Sequence, residues 1–327
     1  MPGTADPLCR HIEAEIDQPV DPSVQTAVAA VCRRHGAAVA AVLFYGSCLR
    51  APAAFDDGGG VIDLYVLVDR YRDFYANLYR HRRRARTMAL ANALLPPNVF
   101  YIECESEAGR IRAKYAVMTL AQFGRGTSRR SFHPSLWARF CQPVRLVHAR
   151  DAAARSAVVA ALRAAVITLV ARTAPLMDGP FTAAQLWQRA FRETYRSELR
   201  VEGTARGRTL YAWAAPRYDR LTVPALQAAG LRIVSTAHAS EIRITTSAAA
   251  RWRARVAWTA RRWIGKPLTV ARLIKGAFTF DGAVDYILWK IERHSGVRPQ
   301  ISAWQRRHPI LASPLLVWRL YRQGALR

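Results

Sequence analysis

FYGSCLR at residues 44–50 and VIDLYVLVD at residues 61–69 decide the fold of this chain. The first stretch ends an apolar run that predicts a buried strand, and its Gly46-Ser47 step then turns the chain. The second stretch is apolar and β-branched, which predicts a central strand, and it carries one internal acid, Asp63. The pattern therefore predicts two successive strands with polar groups concentrated where the first one ends.

The Gly46-Ser47 turn and Asp63 together predict a site for a nucleotide and a metal ion. Glycine lets the backbone approach a phosphate group, while the serine hydroxyl and nearby N–H groups can hold phosphate oxygens. A lone carboxylate in a central strand is expensive to bury, and a bound metal ion removes that cost. Mg²⁺ on nucleotide phosphates needs only one or two carboxylates. The alternative is an ordinary turn followed by a satisfied polar side chain.

A second acid usually follows the first by two residues in nucleotidyltransferases, but here that position is Tyr65. Asp69 shares the face of Asp63 by parity, yet six residues place it about 20 Å away along a strand. A second metal ligand must therefore come from another segment. The candidates are Asp56 and Asp57 in the loop, and Glu103 and Glu105 on the strand predicted at 98–105. We take Glu103 as the predicted ligand; the alternative for each acid is a surface charge.

The remaining pattern predicts the fold class. Further strands are predicted at residues 98–105, 110–120 and 143–148, and helices at residues 22–35, 71–95, 151–174, 181–199, 251–263 and 267–294. We predict an α+β fold in three parts. These are a nucleotidyltransferase-type mixed sheet with helices (1–150), a mainly helical domain for which a winged-helix-like arrangement is one option (151–250), and a basic amphipathic helical region that contributes to the site (251–327).

The charge of the chain is strongly positive, with 49 Lys and Arg against 23 Asp and Glu and a formal net charge of +26. Such a field attracts polyanions, which means nucleic acid or an anionic membrane surface. Four of the cations are lysines: Lys114, Lys266, Lys275 and Lys290. Because arginine does not replace a compact ammonium acting on a phosphate, these lysines are candidates for substrate contacts.

Cysteine usage and hydropathy indicate the cellular location of the protein. The five cysteines are scattered without a CxxC pair, which argues against a disulfide framework or a cysteine zinc site and favours a reducing cytoplasm. The first residues lack a basic start followed by an apolar run, so no secretory signal is indicated. No stretch reaches about 18 consecutive apolar residues. We therefore expect a soluble or peripheral protein.

Several short motifs occur in an order that resembles a known family. They are Tyr45-Gly46-Ser47, Asp63-Leu64, Val68-Asp69, Phe74-Tyr75 with Asn77, VFYIE (99–103), Lys114-Tyr115-Ala116, SLWARFCQPVRLV (135–147), Lys275-Gly276, and Tyr286 with Lys290. Together these motifs resemble the mitochondrial translocator assembly and maintenance family, which are phosphatidate cytidylyltransferases (CDP-diacylglycerol synthases). The likeness covers about residues 40–150 and 265–295. The chain departs from the family at Ala116, where the family has Gly, and at Gln142, where it has Lys.

The resemblance implies a reaction in which CTP and phosphatidic acid give CDP-diacylglycerol and pyrophosphate with Mg²⁺. It implies that Asp63, Lys114 and Lys275 are catalytic and that Asp63 holds the metal, with Glu103 as the second ligand chosen above. The nucleotide-binding residues that it implies are Tyr45, Gly46, Ser47, Asn77, Tyr286 and Lys290. Lys114, Lys275 and Lys290 would neutralise phosphate oxygens, as in-line phosphoryl chemistry requires.

The segment RWRARVAWTARRW (251–263) predicts a membrane-docking helix. Drawn as a helix, it places Trp252, Val256, Thr259 and Trp263 on one narrow face with arginines around the rest. The tail LLVWRLYRQ (315–323) has the same composition. The expected location is cytoplasmic and peripheral, on a bacterial inner membrane or on the matrix side of a mitochondrial inner membrane. The alternative is that the tryptophans pack on the protein's own core.

Two other functions stay open from the sequence. One is nucleotidyl transfer to RNA or another phosphorylated acceptor, although the basic run RHRRRAR (80–86) lacks the interleaved aromatics of a stacking surface. The other is a catalytically dead membrane or RNA adaptor with the same fold, and Tyr65 in the place of an acid is its best support.

Overall fold

The computed structural model describes residues 6–51, 60–106, 109–197, 206–234, 241–279 and 302. Over these residues the protein is an α+β structure in which helices cover both faces of one five-stranded mixed sheet. The predicted α+β class with a mixed sheet is thereby confirmed.

The sheet consists of β1 (Val39–Tyr45), β2 (Ile62–Val68), β3 (Asn98–Ser106), β4 (Gly109–Thr119) and β5 (Arg145–Ala149). Their spatial order is β3-β4-β2-β1-β5. β2 and β4 run parallel, while the other neighbouring pairs are antiparallel. Each of these five strands overlaps one predicted from the sequence. The Gly46-Ser47 turn therefore lies at one end of the antiparallel pair β1–β2.

Twelve α-helices account for most of the rest of the described chain. They are α1 (Pro7–Ile16), α2 (Pro22–His35), α3 (Ser47–Arg50), α4 (Tyr71–Leu78), α5 (Arg82–Leu94), α6 (Leu120–Thr127), α7 (Trp137–Phe140), α8 (Ala152–Thr173), α9 (Ala183–Arg196), α10 (Arg206–Trp213), α11 (Ala215–Ala228) and α12 (Ala248–Thr279). Local signals fix several of their ends. The Asp21 side chain accepts a hydrogen bond from the amide of Ser23 at the start of α2, and Thr182 and Gln185 form a capping box at the start of α9.

The sheet separates two hydrophobic cores because successive side chains of a strand point to opposite faces. Tyr65 and Leu67 belong to a cluster built with α1 and with helices α6 to α12, and Asp63 shares this face by parity. Leu64 and Val66 point the other way, into a cluster with α2 and α4. We call these the Asp63 face and the opposite face.

One hydrophobic cluster joins the sheet to the helices that follow residue 150. It includes Tyr65 on the sheet, Val166 on α8, Trp187 on α9, Leu221 on α11 and Trp258 on α12. Two short strands, β6 (Ile233–Val234) and β7 (Arg243–Ile244), pair after α9, α10 and α11. The segments predicted as the first and second domains thus share one core.

Residues 152–176, which comprise α8 and the 3-10 turn after it, are helical, long and apolar enough to span a membrane by composition. Its sequence is not an uninterrupted apolar stretch, because Arg163 and Thr168 lie within it. In the structure, 61% of its most apolar window is buried inside the protein. One such helix is weak evidence for a membrane span, since the core helix of a soluble protein passes the same test.

Two helix predictions are wrong in their boundaries. Separate helices predicted at 251–263 and 267–294 are one helix, α12, as far as the described residues extend, and Pro267 lies inside it. Proline lacks an amide hydrogen, so one backbone hydrogen bond is absent there while the helix continues. The single helix predicted at 71–95 is instead two, α4 and α5, with a break between them.

Candidate functional site

Asp63 lies near the start of β2, between two strands that each place a polar residue beside it. Its Cα partner on β1 is Tyr45, and its Cα partner on β4 is Lys114. The ammonium nitrogen of Lys114 lies 3.0 Å from Oδ1 of Asp63. The Asp63 side chain is 13% exposed and the Lys114 side chain is 34% exposed. The pair is therefore sheltered by the sheet and still reachable from solvent.

Gly46 is required by the position of Asp63. Its φ is +96°, a region that residues with side chains rarely adopt. A Cβ atom added at Gly46 would lie 2.3 Å from Oδ2 of Asp63. The turn thus brings bare backbone against the carboxylate, and Ser47 follows directly as an exposed residue at the start of α3. This agrees with the reason for predicting the site from the Gly-Ser step.

Tyr45 contacts an arginine that the sequence analysis does not single out. Nη1 of Arg139, on α7, lies 3.4 Å from the Tyr45 hydroxyl, and the guanidinium lies 5.4 Å from the ring centroid. Burial raises the pKa of Tyr45 above its usual value. Arg139 is 94 residues away in sequence, so only folding brings it to the site. Its one signal is its place inside the motif segment 135–147.

Tyr65, in the position of the usual second acid, is part of an aromatic cluster. It is 1% exposed, and its ring centroid lies 4.9 Å from that of Phe140 and 5.9 Å from that of Phe123. Its hydroxyl lies 3.9 Å from the sulfur of Met118. Burial raises the pKa of this phenol strongly. The Tyr65 side chain therefore packs within this buried cluster and supplies no carboxylate to the site at Asp63.

The other predicted acids lie apart from Asp63. Glu103 is on the same face but two strands away, about 10 Å at ordinary strand spacing. Its carboxylate lies 3.5 Å from both Arg110 and Arg112 and accepts a 2.8 Å hydrogen bond from Tyr101. The negative charge of Glu103 is thus balanced by these arginines without a metal ion. Asp69 pairs with an arginine past the far end of β2. The loop acids at 56–57 lie outside the described residues.

Lys275 has a different environment from the one predicted. Its ammonium group donates to the carbonyl oxygens of Leu95 and Pro97, each at 2.6 Å, and to Oδ1 of Asn98 at 2.7 Å. Burial lowers its pKa to about 8. Asn98 pairs with a residue three positions along β4 from Lys114, about 10 Å away along the strand. Lys275 therefore holds α12 to the turn between α5 and β3.

Asn77 lies on the opposite face. Its amide donates a 3.2 Å hydrogen bond to the carbonyl of His35, at the end of α2. Both α2 and α4 pack against the core on the far side of the sheet from Asp63. The structure thus does not bring Asn77 to the predicted nucleotide site. Tyr286 and Lys290, predicted from the same resemblance, lie outside the described residues.

A magnesium ion fits this site only in company with a nucleotide. No group of three or more His, Cys, Asp or Glu side chains is arranged to hold a metal within the described ranges. Asp63 offers one carboxylate, and Lys114 already lies at one of its oxygens. Since Mg²⁺ takes one or two carboxylates and completes its shell with phosphate oxygens and water, Asp63 would hold the ion jointly with nucleotide phosphates.

The sequence matches no protein-family model and no curated protein. The likeness to the translocator assembly and maintenance family accordingly rests on its motifs. Of these motifs, the structure brings together Tyr45, Gly46, Asp63 and Lys114 around one point of the sheet.

Proposed function

We propose that this protein is a Mg²⁺-dependent nucleotidyltransferase, and specifically a CTP:phosphatidate cytidylyltransferase that makes CDP-diacylglycerol and pyrophosphate at a membrane surface. The observation that carries the proposal is the arrangement at the start of β2. There the carboxylate of Asp63 is pressed against the bare backbone of Gly46 and lies 3.0 Å from the ammonium of Lys114. An acid for a metal, a glycine turn for phosphates and a point charge are the parts that nucleotidyl transfer requires.

Each residue has a separate task in the proposed reaction. A phosphate oxygen of the lipid attacks the α-phosphate of CTP in line, and pyrophosphate leaves. Lys114 neutralises phosphate oxygens close to Asp63, and Gly46 leaves room for phosphate beside the backbone. Ser47 is exposed and presents its hydroxyl as a donor. Magnesium, when bound through Asp63, neutralises charge on the triphosphate.

Helix α12 supports the membrane part of the proposal. An apolar stripe runs along it, formed by Trp252, Val256, Trp263, Val270 and Ile274, with exposed fractions between 43% and 78%. At about 100° per residue these positions fall within roughly 40° of one another. The buried side chains of the same helix, Trp258 and Arg261, lie on the reverse side and are each 1% exposed. The stripe therefore points away from the body of the protein.

The cations beside this stripe suit an anionic bilayer. Arg253, Arg255 and Lys266 are exposed on α12, and Arg255 approaches one surface acid, Asp178, at 3.6 Å. A helix that carries tryptophans on one face and cations beside them binds in the plane of an anionic membrane. Such a surface would bring the site to a substrate that resides in the bilayer.

The test is pyrophosphate release from CTP and Mg²⁺, measured with phosphatidic acid vesicles, with phosphatidylcholine vesicles and without lipid. Release that requires phosphatidic acid and is lost in Asp63→Asn is the expected result. Pyrophosphate release with an RNA acceptor, but not with lipid, would instead indicate nucleotidyl transfer to RNA.

A catalytically dead adaptor is the second candidate, and the buried Tyr65 favours it because the usual second carboxylate is absent from that position. The adaptor would bind vesicles as strongly as an enzyme would, through α12, but release no pyrophosphate with any acceptor. Vesicle sedimentation run beside the release assay separates the two.

A further inference from the structure

A cavity of about 360 Å³ lies between α1, the start of β5 and α11. The charged and aromatic side chains that line it, together with one amide, are Glu15, Gln18, Arg145, Trp213, Arg217 and Arg220. Arg145 pairs with Phe44 on β1, whose next residue, Tyr45, pairs with Asp63. The cavity is thus two strands away from Asp63, about 10 Å across the sheet. None of the residues described around Asp63 lines it.

The charges that line the cavity do not balance. Glu15 is the single acid among its described lining residues, and it is already engaged. Its carboxylate is bonded by Nε and Nη2 of Arg217 and by the amide of Val144. Both side chains of the Glu15–Arg217 pair are 13% exposed, so this pair is neutral and sheltered. Glu15 also attracts Arg145, but neither Arg145 nor Arg220 forms an ion pair with a carboxylate among these lining residues.

Arg145 bonds only neutral groups. It donates to the carbonyl of Val144 and to the side-chain oxygen of Gln18, and its Nε is buried without a partner among the described residues. Burial lowers its pKa below the usual value. A sheltered guanidinium with an unused donor is unfavourable unless an anion reaches it. Arg220 donates its Nε to the carbonyl of Pro216 and is exposed at the mouth.

Trp213 connects this cavity to the Gly46 turn. The guanidinium of Arg50, the last residue of α3, lies 5.9 Å from the centroid of the Trp213 ring. The wall of the cavity therefore adds a flat aromatic surface to the two arginines. Guanidinium groups bind phosphate oxygens through paired, charge-assisted hydrogen bonds.

We infer that this cavity is a second anion site, which binds a phosphate-bearing ligand between Arg145 and Arg220 with Trp213 as the adjoining wall. The site does not depend on the reaction proposed for Asp63. The phosphate can belong to a free nucleotide or pyrophosphate, or to the headgroup of a lipid.

The test is calorimetric titration with inorganic pyrophosphate in EDTA, which removes magnesium, at about 0.15 M salt to screen diffuse attraction. The protein is the full chain carrying Asp63→Asn. Arg220→Gln is the main variant, because Arg220 is exposed and its loss leaves the fold intact. Arg10→Gln is the matched control, since Arg10 is exposed on α1 and does not line the cavity.

We expect Arg220→Gln to weaken pyrophosphate binding about tenfold relative to Arg10→Gln. Equal affinities in the two variants would overturn the site, because binding would then come from the basic surface in general. Abolition of binding by Asp63→Asn, against the parent chain, would also overturn it. Titrations with CTP and with glycerol 3-phosphate then identify the source of the phosphate, since a nucleotide site favours the first and a lipid headgroup site the second.

Discussion

Lys114 and Lys275 both occupy motif positions, yet their surroundings differ in kind. Lys114 faces one carboxylate at 3.0 Å and is a third exposed. Lys275 faces three neutral oxygens at 2.6–2.7 Å and joins α12 to the α5–β3 turn. The Lys114 ammonium is thus partly open to solvent and to the phosphate of the proposed reaction, whereas the Lys275 ammonium is bonded to three acceptors that hold two elements together.

Asp63→Asn carries the largest expected effect in this comparison. Because the amide cannot hold a cation as the carboxylate does, we expect Mg²⁺-dependent turnover to fall by about 10³-fold or more. The free energy of unfolding should change little. Initial rates of pyrophosphate release measure the first quantity and urea unfolding the second. Asp69→Asn, past the end of the same strand, is the control and should leave the rate unchanged.

Lys114→Met should lower turnover by about 10–100-fold, since one phosphate-neutralising charge is lost. Arg110→Met removes the same charge from an exposed position on the same strand and should have little effect on the rate. Equal losses in both variants, measured at matched protein concentration, would mean that Lys114 acts only through the net charge of the strand.

Gly46→Ala should destabilise the protein by roughly 1–3 kcal/mol, because the added Cβ meets Oδ2 of Asp63 in a backbone conformation that already disfavours side chains. Gly36→Ala is the matched control. Its φ is also positive, at +58°, but nothing lies within 4 Å of the added atom. The midpoint of thermal unfolding should therefore be clearly lower for Gly46→Ala than for Gly36→Ala. The opposite order would contradict the close approach of position 46 to the Asp63 carboxylate.

Lys275→Met should lower the free energy of unfolding by roughly 1–3 kcal/mol, because three acceptors lose their donor. Turnover per folded molecule should stay near that of the parent chain. Lys266→Met is the control on the same helix, since Lys266 is exposed. A large loss of turnover in Lys275→Met at unchanged stability would return Lys275 to the catalytic role predicted from the sequence.

The smallest expected effect is the pH dependence of the contribution that Lys275 makes to the free energy of unfolding. The pKa of Lys275 is about 8 in the folded protein, below the ordinary 10.5 of an unfolded chain. Between these values the unfolded state binds more protons, so the contribution of Lys275 to stability rises with pH from about 8 to 10.5. Subtracting the unfolding curve of Lys275→Met from that of the parent chain isolates this slope. A difference that falls with pH would contradict it.

The sequence predicts the five strands of the main sheet but not β6 and β7. Gly46 and Asp63 stand out because a Gly-Ser turn and a lone acid interrupt two apolar runs. The roles of Lys275 and Asn77 could not be predicted, since they depend on which face of the sheet and which turn a distant helix meets. The same applies to Arg139, which reaches Tyr45 from 94 residues away. The continuity of α12 through Pro267 could not be predicted either, because a proline inside a helical pattern usually ends or kinks the helix.

The contact between Gly46 and Asp63 also constrains how this protein can change. Since any side chain at position 46 occupies the space of the Asp63 carboxylate, the two positions cannot vary independently. In a library selected for folding alone, larger residues at 46 should survive mostly with smaller residues at 63. Selection for the proposed chemistry would remove those pairs as well, and would leave glycine opposite aspartate as the one combination that satisfies both demands.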